Sequence, residues 1–130
     1  MNKIAYLLLR LAIGTTMLGH GLVRLPKLAG FSNWMVSSFE KSMLPHALVM
    51  PFSYLLPIAE FLIGLFLIFG LFTKQALIAG AVVMMALIFG SSMIENWDAI
   101  PSQLIHVGFF ALLLNFHSSN YLALDNKLHK

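Results

Sequence analysis

The chain has 130 residues, of which 59% are hydrophobic and 10% are charged, and its formal net charge is +3. Five acidic and eight basic residues cannot cover the water-facing surface of a soluble domain of this size, so the composition points to a single domain in a lipid bilayer. The basic residues form no dense run, which argues against nucleic acid as a partner, and the lack of cysteine excludes disulfides and thiolate metal sites.

The first predicted element is a helix over about residues 4–23, long enough for the roughly 20 residues that a spanning helix needs. Lys3 followed by an apolar run resembles the start of a signal peptide. However, Arg10 interrupts that run and no small-residue cleavage site precedes residue 30. We therefore expect this segment to remain as the first membrane span.

The connection from about Arg24 to His46 carries its own apolar pattern. Ser32 is a candidate N-cap for a short amphipathic helix lying at the membrane interface or over the bundle, with an irregular loop as the alternative. The apolar residues at helical spacing are Phe31, Met35, Val36, Phe39 and Met43, with Trp34 beside them.

Three further apolar helices are predicted, over about residues 47–72, 75–93 and 102–121. Pro57 should kink the second helix or mark its true start. The connections between these helices are short, and short links place neighbouring helices antiparallel. The predicted fold is therefore an all-α, up-down-up-down four-helix bundle that forms one transmembrane domain over residues 1–130.

The distribution of basic residues predicts the orientation of the bundle. Cytoplasmic loops carry an excess of lysine and arginine, so a count of four against three places both termini in the cytoplasm. The four on the terminal side are Lys3, Lys74, Lys127 and Lys130, and the three on the other side are Arg24, Lys27 and Lys41.

Ionisable residues inside the spans mark the candidate site, because such groups are expensive in a membrane. With a rise of about 1.5 Å per residue, His20, Glu60 and His106 should lie roughly 20 to 24 Å above the cytoplasmic side, on three different helices. Arg24 lies one turn above His20, and Gln103 lies just above His106. The sequence predicts that these five side chains bind a ligand or relay protons in the outer half of the bundle.

The same residues are also compatible with a structural role or with haem. Glu60 could pair with His20 or Arg24 simply to lock the helices together. Two histidines on facing helices also suggest haem ligation. Their spacing indicates no gap of macrocycle size, so we expect neither haem nor a metal site. The remaining histidines are predicted to be solvated at helix ends or in the tail: His46, His117 and His129.

Arg10 lies deep in the first helix, near the cytoplasmic side. Its long side chain can reach toward that face, where Asp125 follows the fourth helix. We predict that Arg10 and Asp125 form a structural staple rather than a catalytic pair.

Three runs of residues resemble the DoxX family. They lie at 10–25, 57–74 and 120–125, and the second run, from Pro57 through Glu60 and Gly64 to Lys74, is the most specific. Lys74 stands where arginine is commoner, and Gly64 is single where many members carry a pair. The likeness covers nearly the whole chain.

The resemblance implies a four-helix protein of the bacterial inner membrane, of a family often described as oxidoreductases. Some relatives are the membrane subunit of thiosulfate:quinone oxidoreductase, and others are described as assembling with soluble redox proteins. The resulting hypothesis is a membrane subunit of a redox system that binds a quinone-like or other amphipathic ligand near His20, Glu60 and His106. Two alternatives are a scaffold that anchors partner proteins without chemistry, and a small-solute or lipid carrier that works as a homo-oligomer.

Overall fold

A computed structural model describes residues 1–128, in which all regular secondary structure is helical. His129 and Lys130, named above among the solvated histidines and the terminal lysines, lie outside the described residues. The helices are α1 (Lys3–Arg24), α2 (Leu28–Ser38), α3 (His46–Phe69), α4 (Thr73–Met93), α5 (Ile100–Asn115) and α6 (Asp125–Leu128).

Helices α1, α3, α4 and α5 belong to four segments long and apolar enough to cross a membrane. The prediction of an all-α membrane four-helix bundle is therefore confirmed. We call the end that holds Met1, the α3–α4 turn and the C-terminal segment the terminal end, and the opposite end the α2 end. The Ser119 hydroxyl donates a hydrogen bond to the Met1 carbonyl over 2.8 Å, which joins the start of the chain to the segment that follows α5.

Helix α1 begins where a side chain can satisfy its free amides. The Asn2 carboxamide accepts hydrogen bonds from the backbone N–H groups of Ile4 and Ala5, at 2.8 and 3.1 Å. Such caps replace the partners that the first turn of a helix lacks. At the other end, a 3₁₀ turn over Leu25–Lys27 leads almost directly into α2.

The first connection contains the short helix α2, but Ser32 is not its N-cap. The helix begins at Leu28, and Ser32 is buried within it, where its hydroxyl accepts a hydrogen bond from the Ser53 hydroxyl on α3 at 2.6 Å. Met35 on the same face packs with Val49 and Leu56 of α3. Helix α2 is therefore packed against α3.

Helix α3 runs through both of its prolines. It begins at His46 and passes Pro51 and Pro57 before it ends at Phe69, and the next residue, Gly70, adopts φ of +68°. The alternative in which Pro57 marks the start of the helix is therefore wrong. The left-handed conformation at Gly70 suits a residue without a side chain and closes the helix into a short turn before α4.

The four spanning helices associate as two close pairs. Helix α1 approaches α3 backbone to backbone, and a Cβ added at Gly21 would lie 2.5 Å from the Phe61 nitrogen. Helix α4 packs on α5 in a different way, with the Phe110 ring seated on Gly80. Small residues allow this close approach of membrane helices.

Helix α5 ends at Asn115, although the sequence predicted a helix as far as residue 121. A 3₁₀ turn over His117–Ser119 follows, and residues 120–124 then run across the terminal end as irregular backbone. The helix stops early because this segment makes backbone hydrogen bonds to the end of α3, from Leu124 N–H to the Phe69 carbonyl and from Asp125 N–H to the Gly70 carbonyl.

Candidate functional site

A cavity of about 310 Å³ lies at the α2 end, between the two helix pairs. Its wall comes from α1, α2, α3, α4, α5 and the α4–α5 connection. The polar part of this wall includes all five side chains that the sequence singled out for ligand binding. They are His20, Arg24, Glu60, Gln103 and His106.

Close packing of α1 on α3 sets the distance between the first three of these side chains. Gly21 lies against the backbone of Pro57 and Phe61, so no side chain separates the two helices at this level. His20 precedes Gly21 in α1, and Glu60 precedes Phe61 in α3, so both residues lie next to this contact. The glycine in α1 thus brings the histidine of one helix beside the carboxylate of the other.

Glu60 is buried, with 2% of its side chain exposed, and it is paired with Arg24. The Arg24 Nη1 donates to Glu60 Oε1 over 3.0 Å. A buried carboxylate needs such compensation, because an unpaired charge away from water is costly. The Arg24 guanidinium carbon also lies 4.5 Å from the centre of the Phe31 ring on α2, a cation–π contact.

Arg24 therefore joins α1 to both α2 and α3. This is the one ion pair within residues 1–128, and it engages a single oxygen of the Glu60 carboxylate. The packing lock considered from the sequence is thus present in the geometry, with Arg24 as the partner. The other carboxylate oxygen of Glu60 has no hydrogen-bond partner within residues 1–128.

The two histidines face each other across the cavity. Their ring centres are 6.3 Å apart, and the ring planes stand at 88°. Nδ1 of His20 lies 2.6 Å from the Thr16 carbonyl, and Nδ1 of His106 lies 2.7 Å from the Ser102 carbonyl. Carbonyl oxygens accept hydrogen bonds only, so we assign the proton of each neutral ring to Nδ1.

This assignment leaves Nε2 of each imidazole as a hydrogen-bond acceptor. When a ring takes up a proton, it does so at Nε2, and that atom becomes a donor. Backbone carbonyls one helical turn earlier thus orient both rings and fix which nitrogen exchanges a proton.

Thr16 is a site residue that the sequence reasoning missed. Its hydroxyl lies 3.4 Å from Nε2 of His106, and its carbonyl holds His20. One residue of α1 thereby contacts both imidazoles. The signal was present in the sequence, since Thr16 lies four residues before His20 and therefore on the same helix face.

Gln103 extends the polar wall onto α5. Its Nε2 donates to the Ser91 hydroxyl over 3.0 Å, which connects α5 to α4. Its Oε1 is buried and has no hydrogen-bond partner within residues 1–128. Buried amide oxygens are almost always paired, so this atom is a natural acceptor for a ligand donor group.

The rest of the cavity wall is largely apolar, and α2 supplies much of it. The stripe noticed in the first connection faces the cavity through Phe31, Met35 and Phe39, and Trp34 also contributes. From the sequence we expected this stripe at the membrane interface or over the bundle, and the apolar period alone could not tell that it would line a cavity. A polar layer beneath aromatic and thioether side chains suits a flat amphipathic molecule.

Arg10 and Asp125 both serve the terminal end, but they do not pair with each other. Arg10 is 1% exposed, and its Nη1 donates to Asn120 Oδ1 over 2.6 Å. It also donates to the carbonyls of Tyr121 and Leu122, at 3.3 and 3.1 Å. The predicted staple to the C-terminal segment is present, but its partner is Asn120 and the backbone.

Asp125 instead caps the start of α4. Its two carboxylate oxygens accept hydrogen bonds from the backbone N–H groups of Phe72 and Thr73, at 2.6 and 2.8 Å. Burial alone would raise the pKa of Asp125, but the hydrogen bonds from Thr73 and Phe72 outweigh it and lower the pKa below its ordinary value. The free amides of a helix start compete for the carboxylate, which explains why Arg10 does not hold it.

Comparison with known proteins identifies the family. A family model described as DoxX matches residues 5–92, which is more than half of the chain. The chain therefore belongs to the DoxX family. No curated protein and no solved structure gives a match. The matched residues include His20, Arg24 and Glu60, whereas Gln103 and His106 lie on α5, beyond the match.

Proposed function

We propose that this DoxX-family protein is the membrane subunit of a redox system and binds a quinone-like amphipathic ligand in the cavity at the α2 end. The observation that carries the proposal is the meeting of His20, Glu60 and His106 in one largely apolar cavity. Quinone chemistry needs proton donors and acceptors placed beside an apolar ring. The resemblance to a family described as oxidoreductases supports the same function.

The polar groups of the cavity can hydrogen-bond both the oxidised quinone and the reduced quinol. A quinone carbonyl needs hydrogen-bond donors, which Arg24 and a protonated imidazole supply. A quinol hydroxyl needs acceptors, which the neutral Nε2 atoms, the free oxygen of Glu60 and Gln103 Oε1 supply. When bound, the quinone would take up two electrons and two protons, with the electrons coming from a partner redox protein.

The residues of this chain have three roles in the proposal. Arg24 and Glu60 orient the polar end of the ligand, and His20 and His106 take up or release protons at Nε2. The aromatic wall excludes water from the ring of the ligand. The backbone carbonyls of Thr16 and Ser102 keep each imidazole aimed at the cavity while its charge changes.

The membrane setting is also part of the proposal. The balance of lysine and arginine supports an orientation with both termini in the cytoplasm, in the bacterial inner membrane. The cavity would then open in the outer half of the bilayer. A soluble redox partner would approach from the side where α2 and the α4–α5 connection meet the cavity.

The test is direct measurement of ligand binding. The protein is purified in lipid nanodiscs, and binding of a short-chain benzoquinone is measured by titration for wild type, Glu60→Gln and His20→Ala. We expect each variant to bind at least about tenfold more weakly, because a hydrogen bond to a charged or protonatable group is lost. Asp98→Asn is the matched control, since Asp98 is an exposed carboxylate at the same end that does not line the cavity.

Two results would contradict the proposal. One is binding that is equally tight in wild type and both variants. The other is a Glu60→Gln protein that melts at a lower temperature yet binds the quinone unchanged, which would leave Glu60 as a packing lock. Extraction of lipophiles from the purified protein gives an independent readout, in which the expected result is a quinone-like compound depleted in Glu60→Gln.

A further inference from the structure

A second cavity, of about 230 Å³, lies beside the first. It is formed by α2, the α2–α3 connection, α3 and α4, and every residue that lines it is apolar. These residues are Met35, Phe39, Leu44, Leu48, Val49, Phe52, Ala86, Phe89 and Gly90. A wall without hydrogen-bonding side chains can accept only hydrocarbon.

The two cavities adjoin each other. Five of the nine residues that line the apolar cavity also line the polar one, so the two spaces border the same side chains. At the junction the Phe39 ring lies over Gly90, where an added Cβ would come within 3.2 Å of the ring. Phe39 and Gly90 thus pack together where the two cavities adjoin.

The apolar cavity also opens at the outer surface of the bundle. Leu48 and Phe89 are 58% and 56% exposed and stand at its outer part, whereas Met35 and Val49 are each 5% exposed and form its inner part. The gradient runs from the outer surface of a spanning segment to the polar cavity. A molecule that enters from the bilayer would meet the apolar cavity on its way to His20 and Glu60.

We propose that the apolar cavity holds the hydrocarbon chain of the same ligand whose polar head occupies the first cavity. The inference rests on the proposed function and deepens it, because it makes the ligand a head joined to a chain rather than a free small quinone. The shared lining of the two cavities and the exposure gradient together supply the argument. The apolar cavity thereby selects for a chain and guides the head inward.

The experiment compares two probes that differ only in the chain. One is a dimethoxy-methyl-benzoquinone head, and the other is the same head with a decyl chain, each titrated into nanodiscs with affinities corrected for partition into lipid. After that correction, burial from water contributes nothing, and only packing in the cavity remains. We expect the decyl probe to bind wild type about fivefold more tightly, which corresponds to about 1 kcal/mol.

Two variants then fill the apolar cavity from its outer and inner parts, Leu48→Trp and Val49→Phe. Leu55→Trp is the matched control, because Leu55 lies on the same helix, is 60% exposed against 58% for Leu48, and lines neither cavity. Leu48→Trp should remove most of the fivefold advantage of the decyl probe while the head alone binds as before. Leu55→Trp should leave both affinities unchanged.

The outcomes separate this inference from the proposed function. If the head binds and depends on Glu60 but the chain gives no advantage, or if neither filling variant reduces that advantage, the inference is overturned and the proposed function stands. Such a result would follow if a bilayer lipid chain occupied the cavity. If neither probe depends on Glu60 or His20 yet the decyl advantage disappears in Leu48→Trp, the cavity holds a chain and the proposed function fails.

Discussion

Each end of the bundle carries an arginine and a carboxylate, but the chain engages their polar atoms differently at the two ends. At the terminal end, Arg10 and Asp125 are engaged by Asn120 and by backbone groups, and of their side-chain polar atoms only Arg10 Nε lacks a partner within residues 1–128. At the α2 end, Glu60 and the two imidazoles line a cavity, and one oxygen of Glu60 has no partner within residues 1–128. A buried charge thus stabilises the fold when the chain supplies most of its hydrogen bonds, and in the proposed function it serves a ligand when the chain does not.

On the proposed function, the terminal end has a structural role and the α2 end a binding role. Substitutions at the terminal end should change the stability of the protein, whereas substitutions around the cavity should change ligand binding. Both clusters lie close to α1, which carries Arg10 at one level and His20 at another. Four substitutions, each with a matched measurement, can establish whether the two ends are separable.

The largest effect is expected for Arg10→Met. The substitution removes donors to Asn120 and to two carbonyls in a buried cluster, so the free energy of unfolding should fall by roughly 3 kcal/mol or more. Thermal unfolding of the detergent-solubilised protein, followed by circular dichroism, measures the change. Lys74→Met is the control, since Lys74 is an exposed cation at the same end. Equal melting temperatures for wild type and Arg10→Met would remove the structural role of the cluster.

Gly21→Ala should disrupt the α2 end in particular. The new Cβ would lie 2.5 Å from the Phe61 nitrogen and 2.6 Å from the Pro57 carbonyl oxygen, both backbone atoms, so α1 must move away from α3. We expect at least about tenfold weaker quinone binding, with a loss of stability of about 1 to 3 kcal/mol. Gly19→Ala is the control on the other side of His20, because nothing lies within 4 Å of its added Cβ. Similar binding by the two alanine variants would contradict the close-packing argument.

Asp125→Asn should have a moderate, pH-dependent effect on stability. Loss of the carboxylate that caps α4 should cost about 1 kcal/mol at neutral pH. The pKa of Asp125 is lowered in the folded protein, so its contribution is present above the unfolded pKa of roughly 4 and is lost as the pH falls through the folded pKa. Melting temperatures measured across pH should therefore converge in acid. A difference that stays constant from neutral to acid pH would show that the charge is not involved.

The smallest effect is expected for Thr16→Val, which keeps the shape but removes the hydroxyl near His106. The contact is long, at 3.4 Å, so quinone affinity should fall only about twofold to threefold and stability should hold. The ¹⁵N chemical shift of His106 Nε2 should change with it. Thr15→Val is the matched control, because that hydroxyl donates to the Leu11 carbonyl of its own helix. An unchanged His106 spectrum would show that the Thr16 hydroxyl has no role at His106.

The sequence determined the spans and the approximate level of the polar residues. Lipid offers no hydrogen-bond partners to backbone N–H and C=O groups, so a long apolar segment that crosses the membrane must form a helix. The length and position of the apolar segments therefore predict where the spanning helices lie. The shared level of His20, Glu60 and His106 followed from helical rise and short connections alone. The helix spans and the level of a residue along its helix depend only on residues that are close in sequence.

Only the tertiary structure decided which atoms meet. Asn120 rather than Asp125 holds Arg10, because the free amides at the start of α4 lie within reach of Asp125 after the chain turns back. The early end of α5, the burial of Ser32 and the contact of Thr16 with both imidazoles have the same origin. Hydrogen-bond partners far apart in sequence depend on packing between helices, and the identity of a residue fixes what it can bond but not what lies beside it.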